Sequence, residues 1–214
     1  MRIEFNRQLN KLNMELTGMG SAITNTIRDS IQALRTGDRN LAQSVIENEA
    51  EIKNMAHGIE NRCIKLLMKQ QPVAGDLRLI SSALKMVTDM ERIGRQAADI
   101  AEVTTRISNG KPTEDMTNLI AMSDAASEMV EKSIRSFVTS DTALVDSVIK
   151  MDDVVDEYFN NVKGELLKRI KDDAGDPEIL IDYLMIAKYF ERIGDHAENI
   201  ANWVNYSITG EVRL

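Results

Sequence analysis

Apolar residues near the start of the chain fall at Phe5, Leu9, Leu12, Leu16, Met19 and Ile23, in alternating steps of four and three. A period of 3.5 residues puts these side chains on one stripe of an α-helix that packs lengthwise against other helices. Ile27, Ile31 and Leu34 extend the stripe. Thr36-Gly37-Asp38 then interrupts it. Glycine adopts the left-handed conformation that closes a helix, and aspartate accepts from the free N–H groups that open the next. A second helix is expected from about Asn40 to Lys69, stopping before Gln70-Gln71-Pro72, because the residue ahead of a proline is driven out of the helical region. Asp76 is expected to cap a third helix, whose stripe is Leu79, Ala83, Met86, Met90, Ile93, Ala97 and Ile100. Ser108-Asn109-Gly110-Lys111-Pro112, close to the midpoint, has the composition of a linker.

The second half replays the first. Thr113 is placed to cap a fourth helix ending near Thr139, and Ser140-Asp141 answers Gly37-Asp38. The stretch Asp141 to Ile149 matches Asp38 to Ile46 at an offset of 103. A fifth helix runs to about Lys171, and Asp176 followed by Pro177 is a strong start signal for a sixth. That helix carries Ile179, Tyr183, Ile186, Phe190, Ile193, Ala197, Ile200 and Val204 before Gly210. The expected fold is all-α, with six helices of roughly 25 to 32 residues, each about 40 Å long. Short connections make sequential helices antiparallel. The expected architecture is two tandem three-helix bundles related by a pseudo-twofold axis, residues 1–108 and 113–214.

The duplication is sharpest at Glu91-Arg92-Ile93-Gly94-Arg95 and Glu191-Arg192-Ile193-Gly194-Asp195, an offset of 100. A mid-helix glycine costs about 1 kcal/mol relative to alanine, so its presence in both copies points to a close approach. The copies differ in charge at Arg95 and Asp195. Glu191, Asp195 and Glu198 share one helical stripe, and Asp152 and Asp156 are spaced i, i+4 on the fifth helix. If these helices lie side by side, Asp152, Asp156, Glu191 and Asp195 face one another. Two like charges at 4 Å repel by about 4 kcal/mol at an effective dielectric of 20. Protons or a cation must relieve that repulsion, and an all-oxygen set suits Mg, Ca, Mn or Fe. The alternative is that the acids are solvated or paired with Arg192, Lys188 and Lys163. The Glu-x-x-His pattern of di-iron bundles is absent, so His57 and His196 are assigned to the surface or a helix seam. The 12 methionines, Trp203 and the single cysteine, Cys63, are assigned to packing.

Charge and composition narrow the function. A net charge of −8, from 34 acidic and 26 basic residues with no basic cluster, argues against nucleic acid as a partner. Only 3 prolines and 4% aromatic residues favour helices over a β-sandwich. The longest apolar run, Tyr183 to Ala187, is far short of the roughly 20 residues needed to span a bilayer. The N-terminus lacks the apolar core of a secretory signal, and one cysteine suits a reducing compartment, so a cytoplasmic location is expected. No P-loop, Gly-x-Ser-x-Gly or dinucleotide fingerprint is present. No enzymatic activity is expected.

These motifs resemble the PhoU family of phosphate-transport regulators. The resemblance lies in Gln71-Pro72-Val73-Ala74-Gly75-Asp76-Leu77-Arg78-Leu79-Ile80, in Met19-Gly20 and in the doubled Glu-Arg-Ile-Gly. Asp99-Ile100-Ala101-Glu102 follows that core in one half and Asn199-Ile200-Ala201-Asn202 in the other. The resemblance spans nearly the whole chain. It implies a negative regulator of the phosphate-starvation response, an adaptor between the nucleotide-binding subunit of a phosphate ABC transporter and a phosphate-sensing histidine kinase. Contact with membrane complexes would be peripheral, and a homodimer is expected. Some members bind multinuclear metal clusters on paired acidic motifs. In this chain the second repeat keeps both motifs, Asp152/Asp156 and Glu191/Asp195, so a divalent or iron-type metal is expected there only, with no organic cofactor. The equivalents in the first repeat are Glu49, Lys53, Glu91 and Arg95. They are expected to form the i, i+4 ion pairs Glu49–Lys53 and Glu91–Arg95. The alternatives are a metal-dependent hydrolase or oxidase acting through the second-repeat carboxylates, or a helical scaffold with no signalling role.

Overall fold

A computed structural model describes residues 2–69, 73–107 and 117–211. Six helices account for almost all of them: α1 (Arg2–Thr36), α2 (Arg39–Lys69), α3 (Ala74–Ile107), α4 (Thr117–Thr139), α5 (Thr142–Lys171) and α6 (Pro177–Thr209). Local chemistry explains most of their ends. Gly37 sits at φ 68° and closes α1, while Asp38 Oδ1 accepts from the backbone N–H of Asn40 and Leu41 to open α2. The same device opens α5, where Asp141 accepts from Ala143 and Leu144, but Ser140 takes the left-handed position at φ 53°. Asp176 caps α6 with Pro177 in its first turn, and Gly210 ends it at φ 79°. The expected cap at Asp76 is corrected. Helix α3 starts at Ala74, the Leu77 N–H bonds to the Val73 carbonyl, and Asp76 lies inside the first turn. There its charge still favours the positive end of the helix dipole. The expected stop at Pro72, the linker around Gly110 and the cap at Thr113 fall outside the described residues.

Each repeat is a three-helix bundle, α1–α2–α3 and α4–α5–α6, in which all three helices touch one another. The bundles are joined along two seams, α3 on α6 and α1 on α4. Helices α1, α3, α6 and α4 therefore form a closed central ring, and α2 and α5 lie outside it on opposite repeats. Along the α3–α6 seam the partners run in opposite order: Arg78 lies against Gly210, Lys85 over the Trp203 ring, Asp89 against His196 and Arg106 against Asp182. That antiparallel order is what a twofold axis perpendicular to these two helices produces. The apolar stripes of the six helices meet in one continuous core that includes Leu12, Ile23, Met90, Ile93, Val155, Phe190 and Ile193, all fully buried. Among the described residues, no helix is long and apolar enough to cross a membrane.

Of the residues assigned to packing, Met19, Met86, Met90, Met122 and Met129 are fully buried in this core, whereas the assignment is corrected for Met14, Met68 and Met185, which are exposed off the buried stripes of their helices. Cys63 is fully buried, and burial, reinforced by Glu15, pushes its thiol up to about 12, far from a reactive thiolate. Trp203 is half-buried, edge-on to Tyr206 with ring centroids 6.1 Å apart. His57 is exposed beside Glu60, whereas His196 lies in the α3–α6 seam.

The paired glycines mark where the outer helices press on the ring, and they are not equivalent. A Cβ on Gly94 would lie 2.8 and 2.9 Å from Cγ2 and Cδ1 of Ile52, a buried and stiff side chain. On Gly194 the nearest atoms would be Val155 Cγ1 at 3.3 Å and Asp152 Oδ1 at 3.4 Å. Alanine gains about 1 kcal/mol of helix propensity at either site, but overpacking a core costs about 1–3 kcal/mol. Gly94→Ala is expected to lose stability by about 1 kcal/mol, and Gly194→Ala to stay close to the parent. Urea unfolding of both variants checks the order. A Gly94→Ala protein at least as stable as Gly194→Ala would contradict the packing difference.

Candidate functional site

Helices α5 and α6 pack side by side in the second repeat, and this brings the acidic motifs together. Asp152 projects from α5 toward the α6 backbone at Gly194, where the absent side chain leaves it room. It is half-buried, and its carboxyl is pushed up to about 6 by burial first, then by Glu198, Asp156, Asp195 and Asp153. Asp195 is raised by burial and by Glu191 and Asp156, with Lys188 opposing. Glu198 is raised by burial, Asp195, Asp153 and Asp156. All four expected residues, Asp152, Asp156, Glu191 and Asp195, therefore belong to one field of negative charge. Asp153 and Glu198 enlarge it. The signal for Glu198 was in the chain, since it lies seven residues after Glu191 on the same stripe. Asp153 adjoins Asp152 in the chain, and the rotation of α5 against α6 sets its share in the field.

The cluster is partly neutralised from within. Lys188 forms an ion pair with Glu191, one of the pairings expected if the acids were not ligands. The Lys188 ammonium also lies 5.6 Å from the centroid of the Phe159 ring on α5. Among the described residues, no three Asp, Glu, His or Cys side chains converge as a ready-made metal site. The donor chemistry, all oxygen and mutually repelling, fits a hard cation. The side-chain directions do not yet converge on one point, so a bound ion would have to draw them in.

The first repeat resolves the same location differently, and the expected ion pairs are corrected. Arg95 Nε lies 3.4 Å from Glu49 Oε1, so the contact joins α3 to α2 instead of following either helix. Among the described residues, neither Glu49–Lys53 nor Glu91–Arg95 forms. The glycine at 94 explains this. It lets α2 lie so close that an arginine on α3 reaches an acid on α2 as easily as one four residues back. Asp99 remains beside this pair, raised by burial, Glu102 and Glu49 and opposed by Arg95 and Arg192. Where the second repeat holds acids offset only in part by Lys188, the first holds a cross-helix salt bridge.

Between the two lies the seam contact of His196 Nδ1 with Asp89 Oδ1, 3.0 Å apart, with Arg92 3.6 Å from the same oxygen. Asp89 is only 6% exposed. The pair ties α6 to α3 at the centre of the molecule. Its counterpart positions, 100 residues away, are Tyr189 and Gln96, so the tie is made once.

Comparison with known proteins agrees with this duplication. The family model described as "PhoU domain" matches twice, over residues 16–104 and 119–204. A phosphate-specific transport system accessory protein PhoU homolog of Clostridium acetobutylicum is 35% identical over 208 residues, covering 97% of this chain and 95% of that protein. The homolog from Pseudomonas aeruginosa is 31% identical, covering 97% and 86%. The crystal structure of PhoU from Pseudomonas aeruginosa superposes with a TM-score of 0.91 at 31% identity, covering 97% of this chain and all of that one. The phosphate transport system regulatory protein PhoU from Streptococcus pneumoniae gives 0.90 at 26% identity, covering 98% and 99%.

The raised Asp152 carboxyl has a consequence for stability. Between about pH 4 and 6 the folded chain binds a proton there that the unfolded chain has released, so its contribution is full below about pH 4 and is lost as pH rises through 6. Removing the charge removes the loss. In metal-free buffer, Asp152→Asn is expected to be more stable than the parent at pH 7, with the gap closing near pH 4. Urea unfolding at both pH values tests this; a gap of equal size at both would rule out the carboxylate as its cause.

Proposed function

The chain belongs to the PhoU family, and on that premise we propose that it regulates phosphate uptake as a non-catalytic accessory protein of a phosphate transport system. The observation that carries this reading is the double match, one PhoU domain on each three-helix repeat, with nearly full coverage of relatives named as transport accessory proteins. In its finer form the proposal is an adaptor. Its helical surfaces contact the nucleotide-binding subunit of a phosphate ABC transporter and a phosphate-sensing histidine kinase, and hold starvation signalling off when phosphate is plentiful. Long, rigid helices suit that task, because they present extended faces without a conformational search on binding. Deleting the gene is expected to release a phosphate-starvation reporter in high phosphate. Unchanged repression in the deletion strain would overturn the regulatory role.

We further propose that the second repeat holds a hard cation on Asp152, Asp156, Glu191 and Asp195, with Glu198 alongside. The support is electrostatic: Asp152, Asp195 and Glu198 are all raised by burial and by neighbouring acids, Asp156 among them in each case, a penalty that a bound cation would relieve. The Lys188–Glu191 pair would have to open, which ranks Glu191 as the weakest of the four ligands. The first repeat is not a site in this proposal, because Arg95 already neutralises Glu49. Elemental analysis of untagged protein is expected to find stoichiometric metal that Asp195→Asn loses. Equal metal content in both proteins would remove Asp195 from the ligand set.

A further inference from the structure

A lysine of the chain itself is built into the edge of the acidic field. Lys188 lies on the stripe of α6 that carries Glu191 and Asp195, and Phe159 lies on the stripe of α5 that carries Asp152 and Asp156. The Lys188 ammonium pairs with Glu191 one turn along its own helix and lies 5.6 Å from the centroid of the Phe159 ring on α5. A cation over an aromatic ring is attracted by the ring's quadrupole, so the ammonium is held from both helices. It also opposes the rise of the Asp195 carboxyl. The two partners of the ion pair differ in exposure: the Glu191 side chain is 17% exposed and that of Lys188 48%. The acid is enclosed, and the lysine borders solvent into which it can swing.

Both parts of this contact are confined to the repeat that holds the acids. The counterpart of Lys188, at the offset of 100, is Thr88, whose hydroxyl donates to the Leu84 carbonyl of its own helix. The counterpart of Phe159, at the offset of 103, is Ala56, buried in the core. Both repeats keep the glutamate, as Glu91 and Glu191, so that residue alone does not account for the lysine. In the first repeat the compensating charge is Arg95, which meets Glu49. In the second that position is Asp195, and the compensating charge comes from Lys188, seven residues earlier on the same stripe.

We propose that Lys188 is a tethered counter-cation of the second-repeat acids, one that holds the empty field together and is displaced when a divalent cation enters. The proposal rests on the reading of these acids as a cation site and assigns that site its regulation. A group carried on the chain competes at a high effective concentration, so a monovalent ion, bringing the same single charge, gains nothing by replacing it. A divalent ion brings a second charge to carboxylates that repel one another, and its gain grows with each acid it meets. Lys188 therefore sets a threshold that favours divalent over monovalent ions. Its departure also frees Glu191, which the ion and the lysine cannot share.

Melting of the full chain in chelator and calorimetric titration with Mn²⁺ test this on the parent, Lys188→Met and Lys188→Arg. Methionine keeps an apolar stem and removes the charge, whereas arginine keeps the charge. In chelator, Lys188→Met is expected to melt below the parent and Lys188→Arg close to it. With Mn²⁺ the order reverses: Lys188→Met is expected to bind about tenfold or more tightly than the parent, equivalent to about 1.4 kcal/mol of repulsion removed. Lys65→Met makes the same charge change at an exposed position on α2 and is expected to match the parent in both measurements. A Lys188→Met protein that melts at or above the parent in chelator, or the same two changes in Lys65→Met, would overturn the role of Lys188. Equal Mn²⁺ affinity in the parent and Lys188→Met would overturn it too, while leaving the cation site standing. No Mn²⁺ binding to either protein would remove the cation site and the competition together.

Discussion

The antiparallel contact between α3 and α6 is the constraint on which the rest of the molecule depends. A three-helix bundle can bury one apolar stripe of each helix, but α3 and α6 carry apolar residues nearly all round their middle turns. Ile93, Gly94, Ala97, Ala98, Ile100 and Ala101 are buried on α3, and Ile193, Gly194, Ala197, Ile200 and Ala201 on α6. A helix that is apolar on two faces must be covered on both. Its own bundle covers one, and the other repeat covers the second. Neither bundle can therefore expose its third helix at little cost, and the two repeats share one core. A duplicated sequence becomes a single body for this reason.

That shared core sets what the outer helices can do. Because α3 and α6 are held from both sides, α2 and α5 bear on them as on a rigid surface, and Gly94 and Gly194 each mark a point of close approach. At Gly94 the space is taken by Ile52. At Gly194 the shorter Val155 leaves room for Asp152 to turn inward. Glu49 and Asp152, each one helical turn before that core side chain, are both half-buried, so what separates them is the charge each one meets. The charge pattern follows. Glu49 in the first repeat stays at the rim, where Arg95 reaches it, and Asp152 in the second is drawn into a field of like charges with its carboxyl pushed up to about 6.

Much of this was legible in the chain. The six helices follow from the 3.5-residue stripes, and the helix breaks at Gly37-Asp38, Ser140-Asp141, Asp176-Pro177 and Gly210 follow from turn and capping chemistry that acts within a few residues. Asp76 was misassigned because an acid in the first turn and an acid at the cap leave the same local signature. The acidic motifs were visible as i, i+4 spacing, and Glu198 as one more step along the stripe. The ion pairs of the first repeat were not. Spacing along a helix shows what Arg95 could reach on α3, and says nothing of an acid on another helix that happens to come as close.

The sequence by itself therefore determined the helices, their order, the duplication and the charge difference between its two copies, because each of these is written in local periodicity or in direct comparison of one half with the other. Only the tertiary structure decided which acids share a field, that Arg95 pairs across to Glu49, and that His196 is spent on Asp89. The physical reason is common to all three. They depend on the rotation and separation of helices that are distant in sequence, and those are set by the packing of the whole core.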